Sequence, residues 1–574
     1  MSEGTDGLAR VTIGALLGAA AASLIAPLIR PLFHVPTGGV GYVTIHQYPK
    51  AWDYAVVALL VASSFIGGAV ASRQVPPPIE TPRRPRWVPV AIAVFVLVFL
   101  IRDKLAMPLD LFHDGEQLTP AFQLLSGQRP YGEVFFNHGL AADGGLHALI
   151  LGEGLSPARV RRLDAILAAA TLSLLAAIAA EVCATTSGVV VATLAALCAA
   201  GVGVAGLTFP VLRIAPILLA ALALLRYLRT LKTGWLSLAM GASTLGLLWS
   251  LDTGVFAVVG TAVLTIVIHA AGLGRTSMKT LIVLGGVAVL LPIIALAIVR
   301  ADIPQFFQDS FVTVPRAIDA IGSLPAPDPP TFRELLFWLA DEPSRYYVPP
   351  VMYGLLLALA FQRWRSGDRI GSTKIVVLTT FALLMFRSAA GRADPNHVRF
   401  ALPLFGILLV AFIIEPLAQQ SRVAATIAVS VLFILVLNVV PNTTMSAEAL
   451  MSWPARQPSV QSVDIAPLQL YLRSFGPDAT FLDFSNGLAL YYLLERNPPV
   501  RVTDIKMLSA PPLLSEAMTR LRASPPDFVV LQAPGVPSGF DGLENEMRVP
   551  ELAQWIKANY PRRLQVGKFL VAAR

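Results

Sequence analysis

Residues 109–117 read Leu-Asp-Leu-Phe-His-Asp-Gly-Glu-Gln, placing three carboxylates, Asp110, Asp114 and Glu116, and one imidazole, His113, within seven positions. The cluster directly follows an apolar run. Carboxylates gathered at the edge of a membrane helix are partly desolvated and feel like-charged neighbours, and both effects raise a carboxyl pKa toward that of a working general base. A solvated loop is the ordinary alternative. The density of the cluster and the amphipathic stretch that follows it, Leu118 to Leu125, favour chemistry. A second constellation lies at residues 391–399, Gly-Arg-Ala-Asp-Pro-Asn-His-Val-Arg. Here Arg392, His397 and Arg399, with Asp394, offer cations and hydrogen-bond donors of the kind that hold a phosphate or pyrophosphate group at a membrane edge. Arg and His at a span end also reach the interface merely to keep their charge in water. Asp252, in Trp249-Ser250-Leu251-Asp252, and Arg213, in Phe209-Pro210-Val211-Leu212-Arg213, are charges near the same face; a structural role stands beside a functional one for each.

The elements that carry these residues are spanning helices. Of the 574 residues 55% are hydrophobic and 14% charged, against about 25% charged in a typical soluble chain. That excludes an ordinary soluble enzyme and points to an α-helical polytopic membrane protein. Apolar runs at about 11–33, 54–72, 87–102, 161–182, 188–206, 210–226, 235–250, 253–271, 280–299, 346–362, 375–388, 400–416 and 423–440 give about 13 transmembrane helices. The first is read as a retained anchor, since no small-residue cleavage site follows it. The net charge of +8 lies in short clusters between spans, with no nucleic-acid motif, so no nucleic-acid partner is expected.

Those clusters set the topology by the positive-inside rule. Arg73, Arg83, Arg84 and Arg86, then Arg226, Arg229 and Lys232, then Arg275 and Lys279, then Arg363, Arg365, Arg369 and Lys374, and finally Arg422 fall on one side, the cytoplasm, provided that Gly139 to Leu151 does not span. That run is short, glycine-rich and carries Asp143 and His147, which suits a helix lying in the interface. The N-terminus is then cytoplasmic. Residues 103–160, 300–345, 392–397 and everything beyond 441 lie outside, which in a bacterial inner membrane is the periplasm. Three parts follow: two leading helices (1–86), a transmembrane catalytic module (87–440), and an external C-terminal α/β domain (441–574). In the last, short apolar runs at Ala479 to Phe484, Phe528 to Leu531 and Leu564 to Val571 read as strands between helix-like stretches. Cys183 and Cys198 are read as small packing residues. Phosphate-loop, serine-elbow and zinc-protease motifs are missing, so those chemistries have no residues to rest on.

The stretch from the acidic cluster through Leu124-Leu125-Ser126-Gly127-Gln128-Arg129-Pro130-Tyr131 and Phe135-Phe136-Asn137-His138-Gly139 resembles the first external loop of GT-C fold glycosyltransferases. The resemblance is to polyprenyl-phosphate-sugar-dependent members, the bacterial dolichyl-phosphate-mannose-mannosyltransferase-like and aminoarabinose-transferase-like membrane proteins, and covers the chain from about residue 87. It implies a GT-C fold with juxtamembrane helices in the first external loop. It also implies inverting transfer of a sugar from a polyprenyl-phosphate donor to a cell-envelope glycan, lipid or protein. Carried onto this chain, the family's loop base maps to Asp114, with Glu116 next and Asp110 behind. The order His113-Asp114-Gly115-Glu116 departs from the family's commoner Asp-x-Asp-Glu and leaves the choice between the first two open. Asp110, His113, Tyr131, Asn137, His138, Arg213, Asp252, Arg392, Asp394, His397 and Arg399 become the substrate-binding set. Some members use a divalent metal ion, but no ligand spacing here commits to one. The rival reading is a non-catalytic transporter or carrier of lipid-linked sugars; it expects ionisable groups at mid-span and related halves, whereas these charges cluster at one outer edge.

Overall fold

The computed structural model describes residues 3–71, 85–100, 108–199, 210–329, 342–420, 463–532 and 541–574. Twelve of the thirteen expected spans fall on helices there; the thirteenth, 423–440, lies outside the described residues, as do Arg73, Arg83, Arg84 and Arg422. Among the described residues six helices are long and apolar enough to cross a bilayer: Gly7–Leu32, Ala51–Ala71, Pro157–Val182, Leu251–Ala270, Met278–Ile298 and Arg369–Gly391. Met278–Ile298 leaves Ile282, Val283, Leu290, Ile294 and Ile298 more than half exposed. Such a surface is tolerable only against lipid.

Small residues allow the bundle to close. A Cβ on Gly14 would fall 2.2 Å from the Gly67 carbonyl oxygen and one on Gly18 1.9 Å from that of Ser63, so the two leading helices meet backbone to backbone. Gly246 and Gly254 do the same for Thr233–Trp249 and Leu251–Ala270, where a Cβ on Gly254 would meet Gly246 at 2.3 Å. That approach lets the two helices reverse through Ser250 alone.

Outside the bundle, Gly115–Leu125 is an amphipathic helix whose Leu118 and Ala121 are buried. The run Gly139 to Leu151 divides into a wide turn, Ala141–Gly145, and a one-and-a-half-turn helix, Leu146–Leu151, too short to span. That helix turns His147 inward to Asp164 (2.9 Å) and leaves Leu149 and Ile150 outward, the division expected of an interfacial segment.

The tail forms a four-stranded sheet of β1 (Phe481–Phe484), β2 (Phe528–Leu531), β3 (Arg562–Val566) and β4 (Phe569–Ala573) in the order β1-β2-β4-β3. Strands β1 and β2 are parallel, and the Pro511–Ala523 helix lies in the crossover between them. The expected single strand from Leu564 to Val571 is instead the β3–β4 hairpin. Gly567, at φ +59°, reverses the chain in the middle of the apolar run.

The tail docks on the other external segments. The Thr119 hydroxyl donates to the Leu488 carbonyl (2.6 Å), the Ala489 N–H to that of Leu111 (2.8 Å), and the Val40 N–H to the Ser509 hydroxyl (3.2 Å). Arg501 is buried where three segments meet. It donates to the Tyr131 carbonyl (3.1 Å) and to Glu516 (2.7 Å), pairs with Asp309, and lies over the Phe135 ring. Residues 34–50, 108–156, 301–329 and 392–400 and the tail thus share one end of the molecule.

Candidate active site

Asp114 and Glu116, two residues apart, have opposite environments. Asp114 opens the Gly115–Leu125 helix and is clamped by Arg161, whose Nε and Nη2 donate to its two oxygens at 3.1 and 2.5 Å; it also accepts from the Asp110 N–H at 2.8 Å. Glu116, half-buried on the first turn of the helix, makes no side-chain hydrogen bond or ion pair among the described residues. Burial raises its carboxyl above the ordinary glutamate range. The charges of His138, Lys506 and His113 oppose that rise, and Asp143 adds to it. Asp110 and His113 pair with each other at 2.7 Å on the exposed side of the turn. Burial works to raise the Asp110 carboxyl, but the His113 hydrogen bond and charge and two backbone N–H groups outweigh it and hold the group at about 2.

The second wall is His138. Asp143 accepts from its N–H at 2.6 Å and meets its Nδ1 at 2.9 Å, which fixes the ring plane. The Asn137 amide lies 3.4 Å from its Nε2. Asp143 reaches this position because Gly144, at φ +103°, lets the turn rest on the Glu116 helix; a Cβ there would come 2.3 Å from the Gln117 carbonyl oxygen. The His138 carbonyl accepts the Leu251 N–H, joining this wall to the next. There Arg213 pairs with Asp252 and donates to Ser250 Oγ at 3.1 Å, and Ser250 donates to Asp252 at 2.8 Å.

The third wall is residues 392–399. Asp394 caps the Pro395–Phe400 helix through the Asn396 and His397 N–H groups, both at 3.0 Å, meets His397 Nδ1 at 2.8 Å and pairs with Arg392. Burial opposes the Asp394 charge, but His397 and Arg392 overcome it and hold the carboxyl far below its usual range. Burial likewise pushes His397 down, toward the neutral ring, against the pull of Asp394.

These walls lie within electrostatic reach of one another: the charge of Glu116 acts on Arg392, that of His138 on Asp252, and that of Arg213 on His397. The tail closes the ring with Lys506, whose charge reaches Glu116, and Asp541, whose charge reaches Arg392. Of the expected residues, Glu116, Asn137, His138, Arg213, Asp252, Arg392, Asp394 and His397 belong to this assembly. Arg399 follows on the same short helix, its Nε buried without a hydrogen-bond partner among the described residues. Tyr131 does not join them. It is 1% exposed, at φ +62°, with its ring against Phe136 and Phe306. Arg161, Asp143 and Lys506 were not foreseen; only Asp143, beside two glycines, carried a local signal of tight packing.

The carboxylates nearest Glu116 are committed elsewhere, Asp114 to Arg161, Asp110 to His113 and Asp143 to His138. No group of three His, Cys, Asp or Glu side chains among the described residues fits a metal ion, so no step below runs through one.

No protein-family model matches the chain. No curated protein matches it. Among solved structures, the crystal structure of ArnT from Cupriavidus metallidurans bound to undecaprenyl phosphate aligns over 85% of this chain and 98% of that one, at 13% identity and a TM-score of 0.48. Likeness of that degree assigns neither activity nor site.

Proposed function

We propose that the protein is a GT-C membrane glycosyltransferase that moves a sugar from a polyprenyl-phosphate donor to a cell-envelope glycan, lipid or protein acceptor, with Glu116 as general base. The observation that carries this reading is the pairing pattern. Among the described residues every expected carboxylate around the site has a cationic or histidine partner except Glu116, and the charge of Glu116 acts on Arg392 as that of His138 acts on Glu116. A committed ion pair makes a poor base, while an unpaired, desolvated carboxylate makes a good one. Asp114 becomes the group that fixes the start of the helix carrying Glu116.

In the reaction, Glu116 takes the proton of the acceptor hydroxyl as its oxygen forms a bond to the anomeric carbon. The bond from that carbon to the lipid phosphate breaks, and its electron pair leaves with the phosphate oxygen. Arg392, with Arg213 behind it, receives that charge; neutral His397 donates its Nδ1–H to Asp394 and so holds the carboxylate that pairs with Arg392. Attack from the face opposite the phosphate inverts the anomeric centre. The site end is the external face of a bacterial inner membrane in this reading, because the basic loops gather at the other end.

The test is turnover of radiolabelled polyprenyl-phosphate sugars by purified protein in lipid, with membrane extract as acceptor source. Native protein should strip label from the lipid and Glu116→Gln should not. Tight binding of a donor that native protein never consumes would favour a carrier. Full activity of Glu116→Gln would remove the base assignment.

A further inference from the structure

The two leading helices lie outside the stretch that resembles the family, yet the segment joining them reaches the candidate site. At the start of Ala51–Ala71, Lys50 and Asp53 are 0% and 1% exposed and paired at 2.6 Å. Both also hold a distant piece of chain. Lys50 Nζ donates to the Leu324 carbonyl at 2.6 Å, and Asp53 accepts the Ala326 N–H at 3.0 Å, while the Tyr48 hydroxyl donates to the other Asp53 oxygen at 2.6 Å. Leu324 in turn forms a parallel β-bridge with Arg392.

Arg392 needs such support. Its N–H closes the last turn of Arg369–Gly391 on the Ser388 carbonyl at 3.0 Å, but its backbone is extended, φ −143° and ψ 98°, so the chain beyond that one bond leaves the helix. The neighbouring backbone is also held from the leading helices. The Tyr54 hydroxyl donates to Asp319 at 2.7 Å, Arg387 donates to the same oxygen at 3.1 Å, and the Arg387 guanidinium lies 4.8 Å from the Tyr54 ring centre.

We propose that the buried Lys50–Asp53 pair is a positioning element for Arg392: it grips residues 324–326 and, through the Leu324–Arg392 bridge, sets where the guanidinium meets the phosphate of the ligand. A buried ion pair adds little stability over an apolar pair of the same volume. Its two backbone tethers give this one a directional task that an apolar pair cannot perform. The inference rests on the reading of Arg392 as a phosphate ligand, and neither Lys50 nor Asp53 touches substrate.

The experiment measures undecaprenyl phosphate binding to the full chain in lipid nanodiscs for native protein, the double variant Lys50→Met/Asp53→Leu, Arg392→Gln, and the combination of all three. The double variant leaves no lone buried charge. It should weaken binding about tenfold, and the triple variant should bind no worse than Arg392→Gln alone, since the pair acts through Arg392. Native-like affinity in the double variant, or a loss that multiplies in the triple, overturns the proposal. Should the double variant not fold, Ala326→Pro removes only the N–H that Asp53 accepts and should weaken binding about threefold; unchanged binding counts against the proposal equally. If native protein binds no undecaprenyl phosphate, the glycosyltransferase reading is what fails. The tether is then judged by amide exchange at residues 391–394, expected to quicken about tenfold in the double variant, or in Ala326→Pro, and overturned by unchanged exchange.

Discussion

The two polar ends of the bundle use charge in different ways. At the basic end, Glu181 is buried between Arg226 (3.2 Å) and Arg229 (2.8 Å), and its carbonyl accepts Lys374 Nζ at 2.6 Å. Arg226 stacks over Trp87 and Trp235, and Glu415 accepts the Ala184 and Thr185 N–H groups, both at 2.9 Å. Opposite charges meet in contact, and the result is a knot. At the other end Asp114, Asp252 and Asp394 are tied as firmly, but each pair belongs to a wall beside Glu116, a carboxylate with no such partner among the described residues. Charge density is alike at both ends; the unmatched carboxylate distinguishes one of them.

The largest effect that would sharpen this contrast is on rate. Glu116→Gln should lower turnover by about a thousandfold, roughly 4 kcal/mol in the barrier, with lipid-phosphate binding nearly unchanged. Asp114→Asn should instead remove the carboxylate charge that buried Arg161 grips and lower unfolding stability by about 3 kcal/mol, measured by thermal or denaturant titration. If the two variants exchanged these signatures, the assignment would be reversed.

Arg501→Met should act on assembly. Leaving buried Asp309 without its cation, and half-buried Glu516 with Arg520 alone, should cost about 3 kcal/mol and free the tail to limited proteolysis; an equally resistant tail would show that the clamp is dispensable. By contrast, Glu181→Gln at the basic end leaves two arginines that can rehydrate. It should cost about 1 kcal/mol and leave turnover intact.

The pH dependence separates the ends further. On the proposed mechanism Glu116 must be ionised, and burial raises its pKa, so the acid limb of turnover should lie above the ordinary glutamate range. The same shift has a stability sign. A carboxyl raised on folding favours the native state fully below its unfolded pKa and loses that contribution as pH rises through the folded value. Glu116→Gln should therefore gain stability relative to native protein as pH rises through that value, and a constant difference from pH 4 to 8 would contradict the desolvated carboxylate. The smallest effect belongs to Asp110. Held at about 2, it contributes stability above its unfolded pKa and loses it as pH falls toward 2, but its exposed pair with His113 limits Asp110→Asn to about 0.5 kcal/mol.

Much of this layout was legible because lipid imposes a coarse rule: a spanning helix must be apolar over about 18 residues, and polar chemistry must lie at its ends. Asp252, Arg392 and His397 could be singled out on that basis. The different surroundings of Asp114 and Glu116 could not, since Arg161, which grips Asp114, is 47 residues away. Tyr131 looked like a ligand group by its place in a motif, but its side chain is consumed by an aromatic cluster that includes Phe306. In the tail, a continuous apolar run concealed the reversal at Gly567, because hydropathy does not record the sign of φ. The engagement of the leading helices with residues 324–326 rests on contacts across 273 and 274 positions, which no local pattern carries.

Arg501 also places a clock on the synthesis of the protein. Its contacts to Tyr131 and Asp309 close intervals of 370 and 192 residues, so they form only after residue 501 has been made and has reached the loops. Until then Lys506 and Asp541 are missing from the ring around Glu116. Helices that enter the bilayer before residues 501–541 are made thus stand around an incomplete ring of charges, and the α/β tail completes it.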